Sequence, residues 1–127
     1  INDLEKYGVH MLDIINRITK QRFKKVSKIS KKKDFYKMTL NNDIPVELKC
    51  LGKVEKTFKI SFIGKKKSFS INFNDNFHSF FNMLKKFEKM IVYNRSQIDY
   101  LDTINIMKTL IAAKNSKFNQ FNNIKDV

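Results

Sequence analysis

The sequence predicts an α+β fold in which a mostly antiparallel, open-faced sheet carries helices packed on one face. Apolar residues recur with helical spacing over residues 3–18 and again over residues 76–116, which predicts amphipathic helices in both regions. Between these regions apolar residues recur at every second position, which is typical of half-buried strands. Because a sheet with one apolar face has to be covered, we expect the helices to pack on that face.

The first predicted helix begins after Asp3, whose side chain can cap it, and continues to about Ile18. Its apolar face is expected to hold Leu4, Tyr7, Gly8, Met11, Ile15 and Ile18. Its polar face is expected to hold Asp3, Lys6, His10, Asp13 and Arg17. A glycine inside a helix costs about 1 kcal/mol relative to alanine. Gly8 therefore predicts a close approach by another segment of the chain.

The alternating region predicts a meander of about four to six strands, the usual size of a sheet. A first strand covers roughly residues 23–29, and Pro45 begins a later one. The apolar positions of the next two strands are Tyr36, Met38, Leu40, Val46, Leu48 and Cys50. Residues 54–62 and 69–73 are predicted to pair as a hairpin that turns at Gly64. The opposite sheet face, rich in Lys, Glu, Ser and Thr, is expected to face solvent or a polar interface.

Two further helices are predicted within residues 76–116, the first capped by Asp75 or Asn76 and the second beginning near Asp99. The first has an apolar stripe of Phe77, Phe80, Phe81, Leu84, Phe87 and Ile91. The second has a stripe of Leu101, Ile104, Met107, Leu110 and Ile111. We expect both stripes to be buried. Truncating Phe80 or Phe87 to alanine should then cost roughly 3–5 kcal/mol.

The bulk composition predicts one domain over residues 1–127 and narrows the choice of partners. The formal net charge of +14 comes mostly from dispersed lysines, and Arg17, Arg22 and Arg95 are the only arginines. Arginine is the residue preferred for bidentate contacts with phosphate. Because lysines carry most of the positive charge, we attribute it to a codon bias rather than to specific nucleic-acid binding. No apolar run is long enough to cross a bilayer. Cys50 is the single cysteine, expected in the core rather than as a nucleophile, and it favours a cytoplasmic protein.

Two segments carry a resemblance to a known family. The first is residues 7–13, which read as a G-x-H-x-x-D motif, and the second is the run over residues 77–116, which ends in an A-x-x-S pattern. Together they resemble the C-terminal domain of the Gfo/Idh/MocA family, the glucose–fructose oxidoreductases and inositol dehydrogenases. The resemblance implies a substrate-binding and oligomerisation domain of an NAD(P)-dependent oxidoreductase that acts on a sugar or polyol. It also implies a homo-oligomer, such as a dimer, formed through the open sheet face.

The resemblance further implies that His10 takes part in proton transfer, with Tyr7 and Lys6 beside it at the substrate. Lys6 stands where many family members have an aspartate, and a lysine there disfavours a protonated imidazole. No G-x-G-x-x-G motif and no Glu-Lys-Pro motif occurs in the chain. We therefore expect this domain alone to bind no cofactor or metal. An N-terminal dinucleotide-binding domain of the full-length parent would supply NAD or NADP and the catalytic lysine. The start at Ile1 suggests a piece of a longer protein.

Two alternatives remain open at this point. A small basic module could bind single-stranded nucleic acid through lysines and exposed aromatic side chains. It would need Phe or Tyr on the polar face of the sheet, where Phe35 is the main candidate. The other alternative is an interaction domain derived from the oxidoreductase fold that no longer catalyses a reaction.

Overall fold

The computed structural model describes residues 1–54, 58–73, 76–96 and 98–126. The chain divides into two compact units, one made of residues 1–56 and 100–127 and the other of residues 57–99. Each unit is described by itself below. The expectation of a single domain over residues 1–127 stays a prediction.

As far as α3, helices and strands follow one another in the order that the sequence predicts, whereas β6 and the final 3₁₀ helix were not predicted. In chain order they are α1 (Leu4–Thr19), β1 (Phe23–Lys28), β2 (Phe35–Leu40), β3 (Pro45–Lys49), β4 (Lys59–Ile63), β5 (Ser68–Asn72), α2 (Asn76–Val92), α3 (Tyr100–Lys114) and β6 (Phe121–Asn123), before a 3₁₀ helix over Ile124–Asp126. Neighbouring strands pair antiparallel throughout. The α+β class is therefore confirmed.

The first unit is built on a four-stranded sheet with the order β3-β2-β1-β6. Val26 lies opposite Met38, and Phe23 lies opposite Leu40. These four side chains are almost completely buried, as is Leu12 of α1. The apolar alternation of β2 is thus confirmed, because Tyr36, Met38 and Leu40 are buried whereas Lys37 between them is exposed.

The other face of this sheet is mostly polar, as expected. Residues that lie directly opposite in antiparallel strands share a face, so Glu47, Lys37, Ser27 and Phe121 form one row across the four strands. Glu47 and Lys37 are exposed. Phe121 is 55% exposed and was not predicted on this face, because its strand is only three residues long.

Helices α1 and α3 pack against each other, and α3 also packs against β1. A Cβ atom added at Gly8 of α1 would lie 2.7 Å from Cδ2 of Leu110 on α3. The close approach predicted from Gly8 is therefore confirmed. On the side of α3 that is buried, three of the four buried side chains are small: Thr109, Ala112 and Ala113.

The predicted buried face of α1 is confirmed in part, because four of its six residues are buried: Leu4, Gly8, Met11 and Ile15. On α1, Tyr7 is 37% and Ile18 is 47% exposed, whereas Leu12 and Asn16 are buried. Asn16 can be buried because its side-chain Nδ2 donates a hydrogen bond to the carbonyl of Gln21, at 3.1 Å. Gly8 and its neighbours thus determine which side of α1 packs against α3. The prediction from hydrophobicity alone wrongly assigned Tyr7 and Ile18 to the buried side.

The predicted stripe of α3 is also wrong. Leu101, Ile104, Met107 and Ile111 are all exposed, and Leu110 is half-buried. The buried positions are Ile106, Thr109, Ala112 and Ala113, which lie about one residue around the helix from the predicted face. Small side chains let the helix backbone approach α1 and β1 closely, so α3 packs with that side inward.

In the second unit, β4 and β5 form the predicted hairpin. Its turn is at Gly64, where the Gly64 N–H donates to the carbonyl of Lys67 at 3.0 Å. Phe62 and Phe69 stack across the strands with ring centroids 4.8 Å apart. The hairpin is a separate two-stranded sheet in the described part of the chain, so the expectation of one meander holding all the strands is wrong. The sequence predicts that the first strand of this hairpin begins at Val54. Residues 55–57 of that predicted strand lie outside the described residues.

Helix α2 forms where it was predicted, but its aromatic stripe does not face a core. Phe80, Phe81, Leu84, Phe87 and Ile91 are all exposed, by 44–66%. The expectation that they are buried is therefore wrong. Helical spacing establishes that one face is apolar, but it does not establish that another surface covers this face. The predicted cap Asp75 and the side chain of Phe77 lie outside the described residues.

Candidate functional site

The residues singled out by the sequence lie in the first three turns of α1. The helix begins as predicted at Asp3, which has extended backbone angles and accepts a hydrogen bond from the Lys6 backbone N–H at 2.9 Å. This bond satisfies one of the N–H groups that have no partner within the helix. The cap and the contact of Gly8 with Leu110 together fix the orientation of α1 within the first unit.

The structure brings Lys6, Tyr7 and His10 together on the outward side of α1. Residues three or four apart in a helix are neighbours on its surface, so Tyr7 and Lys6 both lie one turn before His10. All three are exposed. They form a small polar cluster, referred to below as the His10 cluster, on a helix whose opposite face is buried.

The carboxylates closest to His10 along the helix are engaged with cations. Glu5 forms an ion pair with Lys114 of α3, in which Nζ of Lys114 lies 2.7 Å from Oε1 of Glu5. The hydrogen bond within this pair raises the pKa of Lys114. Asp13 accepts a hydrogen bond from Nε of Arg17, also at 2.7 Å. Within the described part of the chain, no hydrogen bond or ion pair joins His10 to another residue. The imidazole is therefore open to a ligand that approaches from solvent.

Histidine is the side chain that ordinarily exchanges a proton near neutral pH. A lysine ammonium donates up to three hydrogen bonds, and a tyrosine hydroxyl both donates and accepts. The His10 cluster therefore places one imidazole beside two hydrogen-bonding side chains at the surface of α1.

Cys50 does not form part of a reactive site. It is buried, as the sequence predicted, and burial raises the pKa of its thiol to about 11. A thiol with a raised pKa is protonated at neutral pH and is a poor nucleophile. Among the described residues, no group of three His, Cys, Asp or Glu side chains is placed to hold a metal ion. No helix in this part of the chain is long and apolar enough to cross a membrane.

A groove that the sequence did not predict opens elsewhere in the first unit. It has a volume of about 620 Å³ and lies between the start of β1, the outward side of α3 and the segment that leads from β6 into the 3₁₀ helix. Its lining contains four cationic residues, Arg22, Lys24, Lys108 and Lys125, together with asparagines and apolar side chains. None of the lining residues lies on α1.

The groove could not be predicted from the sequence, because its walls are distant in the chain. Arg22 and Asp102 are 80 residues apart, yet Nε of Arg22 donates to Oδ1 of Asp102 at 2.6 Å. The one local signal is on α3, where Leu101, Ile104 and Lys108 recur at helical spacing and combine an apolar strip with a cation.

Comparison with known proteins gives no assignment for this chain. No family model, no curated protein and no solved structure matches it.

Proposed function

We propose that this chain is the C-terminal, substrate-binding and oligomerisation part of an NAD(P)-dependent oxidoreductase of the Gfo/Idh/MocA type, acting on a sugar or sugar-like polyol. The observation that carries the proposal is the exposed His10 cluster. It presents an imidazole beside two hydrogen-bonding side chains, on a helix that packs closely against α3 at Gly8. The G-x-H-x-x-D motif over residues 8–13 includes His10 of this cluster.

In the proposed reaction, hydride passes between the carbinol carbon of the substrate and the nicotinamide of NAD or NADP. A dinucleotide-binding domain N-terminal to this chain supplies the cofactor and a lysine. On oxidation, the hydroxyl proton of the substrate leaves to a base while hydride leaves from the carbon, so that a carbonyl forms. His10 is the group of this chain that takes or positions that proton. Lys6 and Tyr7 hold neighbouring hydroxyls.

The remaining parts of the proposal concern assembly and location. The sheet row with Glu47 and Lys37 exposes opposite charges side by side. Such a polar, self-complementary surface suits contact with a second copy around a two-fold axis. The single cysteine is a buried, protonated thiol, and this suits a cytoplasmic protein.

The test is steady-state kinetics of the full-length parent with His10→Ala. We expect turnover to fall by about 10²–10⁴-fold, the range for loss of a general acid–base group. The melting temperature should change little, because His10 is exposed and makes no hydrogen bond to a described residue. A shift in the pH dependence of turnover would separate proton transfer from substrate positioning.

The matched control is His78→Ala, which removes the other histidine of the chain, an exposed residue on α2. Its turnover should stay within a factor of about two of the parent's, since a substitution at an exposed position ordinarily has little effect. Unchanged turnover in His10→Ala, with the fold intact, would refute the role of the His10 cluster. Equal losses in both variants would show that the effect does not depend on the position of His10.

A further inference from the structure

The cationic groove has a charge balance that differs from that of the surrounding surface. Two of its four cations are neutralised, because Arg22 pairs with Asp102 at 2.6 Å and Lys24 pairs with Asp43 at 2.9 Å. The other two, Lys108 and Lys125, form no ion pair or hydrogen bond with a described residue. No carboxylate is among the lining residues that the structure describes. Two uncompensated ammonium groups therefore face one concave space.

The floor of the groove is held in place by a side-chain amide. Oδ1 of Asn105 accepts from the Phe23 N–H at 2.8 Å, and Nδ2 of Asn105 donates to the Phe23 carbonyl at 2.9 Å. The register of β1 against β2 shifts between Phe23 and Lys25, and the amide satisfies the backbone groups beside that shift. The floor of the groove is thus held by two hydrogen bonds between a side chain of α3 and the backbone of β1.

One wall of the groove is apolar. Leu101 and Ile104 lie one turn apart on α3 and are 46% and 39% exposed. Lys108 follows one turn after Ile104 on the same side of the helix. A ligand that covered the two apolar side chains would therefore place one end beside an ammonium group.

We propose that this groove binds a small phosphorylated organic molecule, with its phosphate between Lys108 and Lys125 and its organic part on Leu101 and Ile104. Lysine binds phosphate as a point charge and donates charge-assisted hydrogen bonds to the oxygens. A cavity of about 620 Å³ is within the range of small-molecule sites. The site is distinct from the His10 cluster, and its occupancy does not require the proposed oxidoreductase function.

The test is an NMR titration of the whole chain with phenyl phosphate, inorganic phosphate and a short single-stranded oligonucleotide. We expect saturable shifts of the backbone amides of Phe23, Lys108 and Lys125 with phenyl phosphate. Lys108→Gln combined with Lys125→Gln should weaken this binding by at least about tenfold, as loss of a charge-assisted hydrogen bond predicts. Ile104→Ala should weaken phenyl phosphate binding by a few-fold and leave inorganic phosphate binding unchanged.

The matched control is Lys37→Gln, which removes one lysine from the outer face of the sheet. It should leave the affinity for phenyl phosphate within a factor of about two, because Lys37 is not among the residues that line the groove. Because Lys108 is half-buried, Lys108→Arg, which keeps the charge, should retain binding and rule out misfolding as the cause of a loss.

Equal losses with Lys37→Gln, or no saturation, would overturn the proposal. Displacement of phenyl phosphate by the oligonucleotide at comparable phosphate concentration would assign the groove to a nucleic-acid backbone instead, and would also overturn it.

Discussion

Gly8 is the residue at which the packing of α1 on α3 can be tested most directly. A Cβ atom there would be 2.7 Å from Cδ2 of Leu110 and 3.0 Å from Cδ1 of Leu4. We predict that Gly8→Val lowers the free energy of unfolding by about 2 kcal/mol, within the usual cost of overpacking a core. The measurement is urea denaturation of the whole chain followed by far-ultraviolet circular dichroism.

Lys6→Val is the control, because it introduces the same branched side chain at an exposed position of the same helix. Its cost should stay below about 0.7 kcal/mol, the range of intrinsic helix propensity for ordinary residues. If Gly8→Val is as stable as Lys6→Val, then Leu110 can move aside and the contact does not restrict side-chain size.

At the scale of single residues, the sequence predicted the role of a side chain correctly where that residue type has one main physical reason to occur at the position. Asp3 was predicted as a cap and accepts the expected hydrogen bond. Cys50 was predicted to be buried and is buried. Asn105 gave no such signal, because an asparagine in a helix has no preferred long-range partner. Its two hydrogen bonds to Phe23 depend on a strand that lies 82 residues away in the chain.

At the scale of elements, the sequence located the helices and strands but not the faces that they bury. α2 is strongly amphipathic, whereas in α3 apolar side chains are distributed around most of the helix. The stripes predicted to be buried are nevertheless exposed in both helices. On α3, the side with Ala112 and Ala113 is buried instead, because close contact with α1 favours small side chains. Periodicity is a property of one helix, whereas burial depends on the shape of its neighbour. The exposed stripe of α2 shows the same limit.

A pair of identical substitutions tests these faces. Leu12 of α1 is 0% exposed, whereas Leu84 of α2 is 45% exposed. We predict that Leu12→Ala lowers the free energy of unfolding by about 2–5 kcal/mol, the usual cost for a fully buried leucine. Leu84→Ala should cost less than about 1 kcal/mol. Chemical denaturation of both variants under the same conditions compares one chemical change at two degrees of burial. A loss for Leu84→Ala as large as that for Leu12→Ala would show that the α2 stripe is covered in solution.

At the scale of the whole molecule, charge is the dominant feature. The positions of the charged side chains could not be predicted from the net charge. The net charge of +14 gave no position for a site. In the structure, several carboxylates are used to neutralise particular cations, as in Lys28 with Asp34 and Lys24 with Asp43. The groove retains positive charge because Lys108 and Lys125 have no such partner among the described residues. The His10 cluster could be predicted because it lies within two helical turns.

The same charge arrangement predicts how stability depends on pH. The hydrogen bond from Lys28 at 2.7 Å lowers the pKa of Asp34, and the hydrogen bond from Lys24 lowers the pKa of Asp43. A carboxyl whose pKa is lower in the folded chain binds protons more readily when unfolded. Its contribution to stability is therefore complete above the unfolded pKa of about 4 and is lost as the pH falls through the folded pKa. Protonation of the 12 acidic residues also increases the excess of positive charge.

We therefore predict that the melting temperature falls steadily as the pH is lowered from about 4 to about 2, with little change between about pH 5 and 7. About 1 M salt, which shortens the Debye length to about 3 Å, should restore part of the loss that comes from self-repulsion. Asp34→Asn should make the fall less steep, because the variant has lost one carboxyl with a lowered pKa. Calorimetric melts of the chain and of this variant across the pH range provide the measurement. An equally steep fall in both proteins would show that the pair between Lys28 and Asp34 does not contribute to stability in solution, and that general charge repulsion alone destabilises the folded chain in acid.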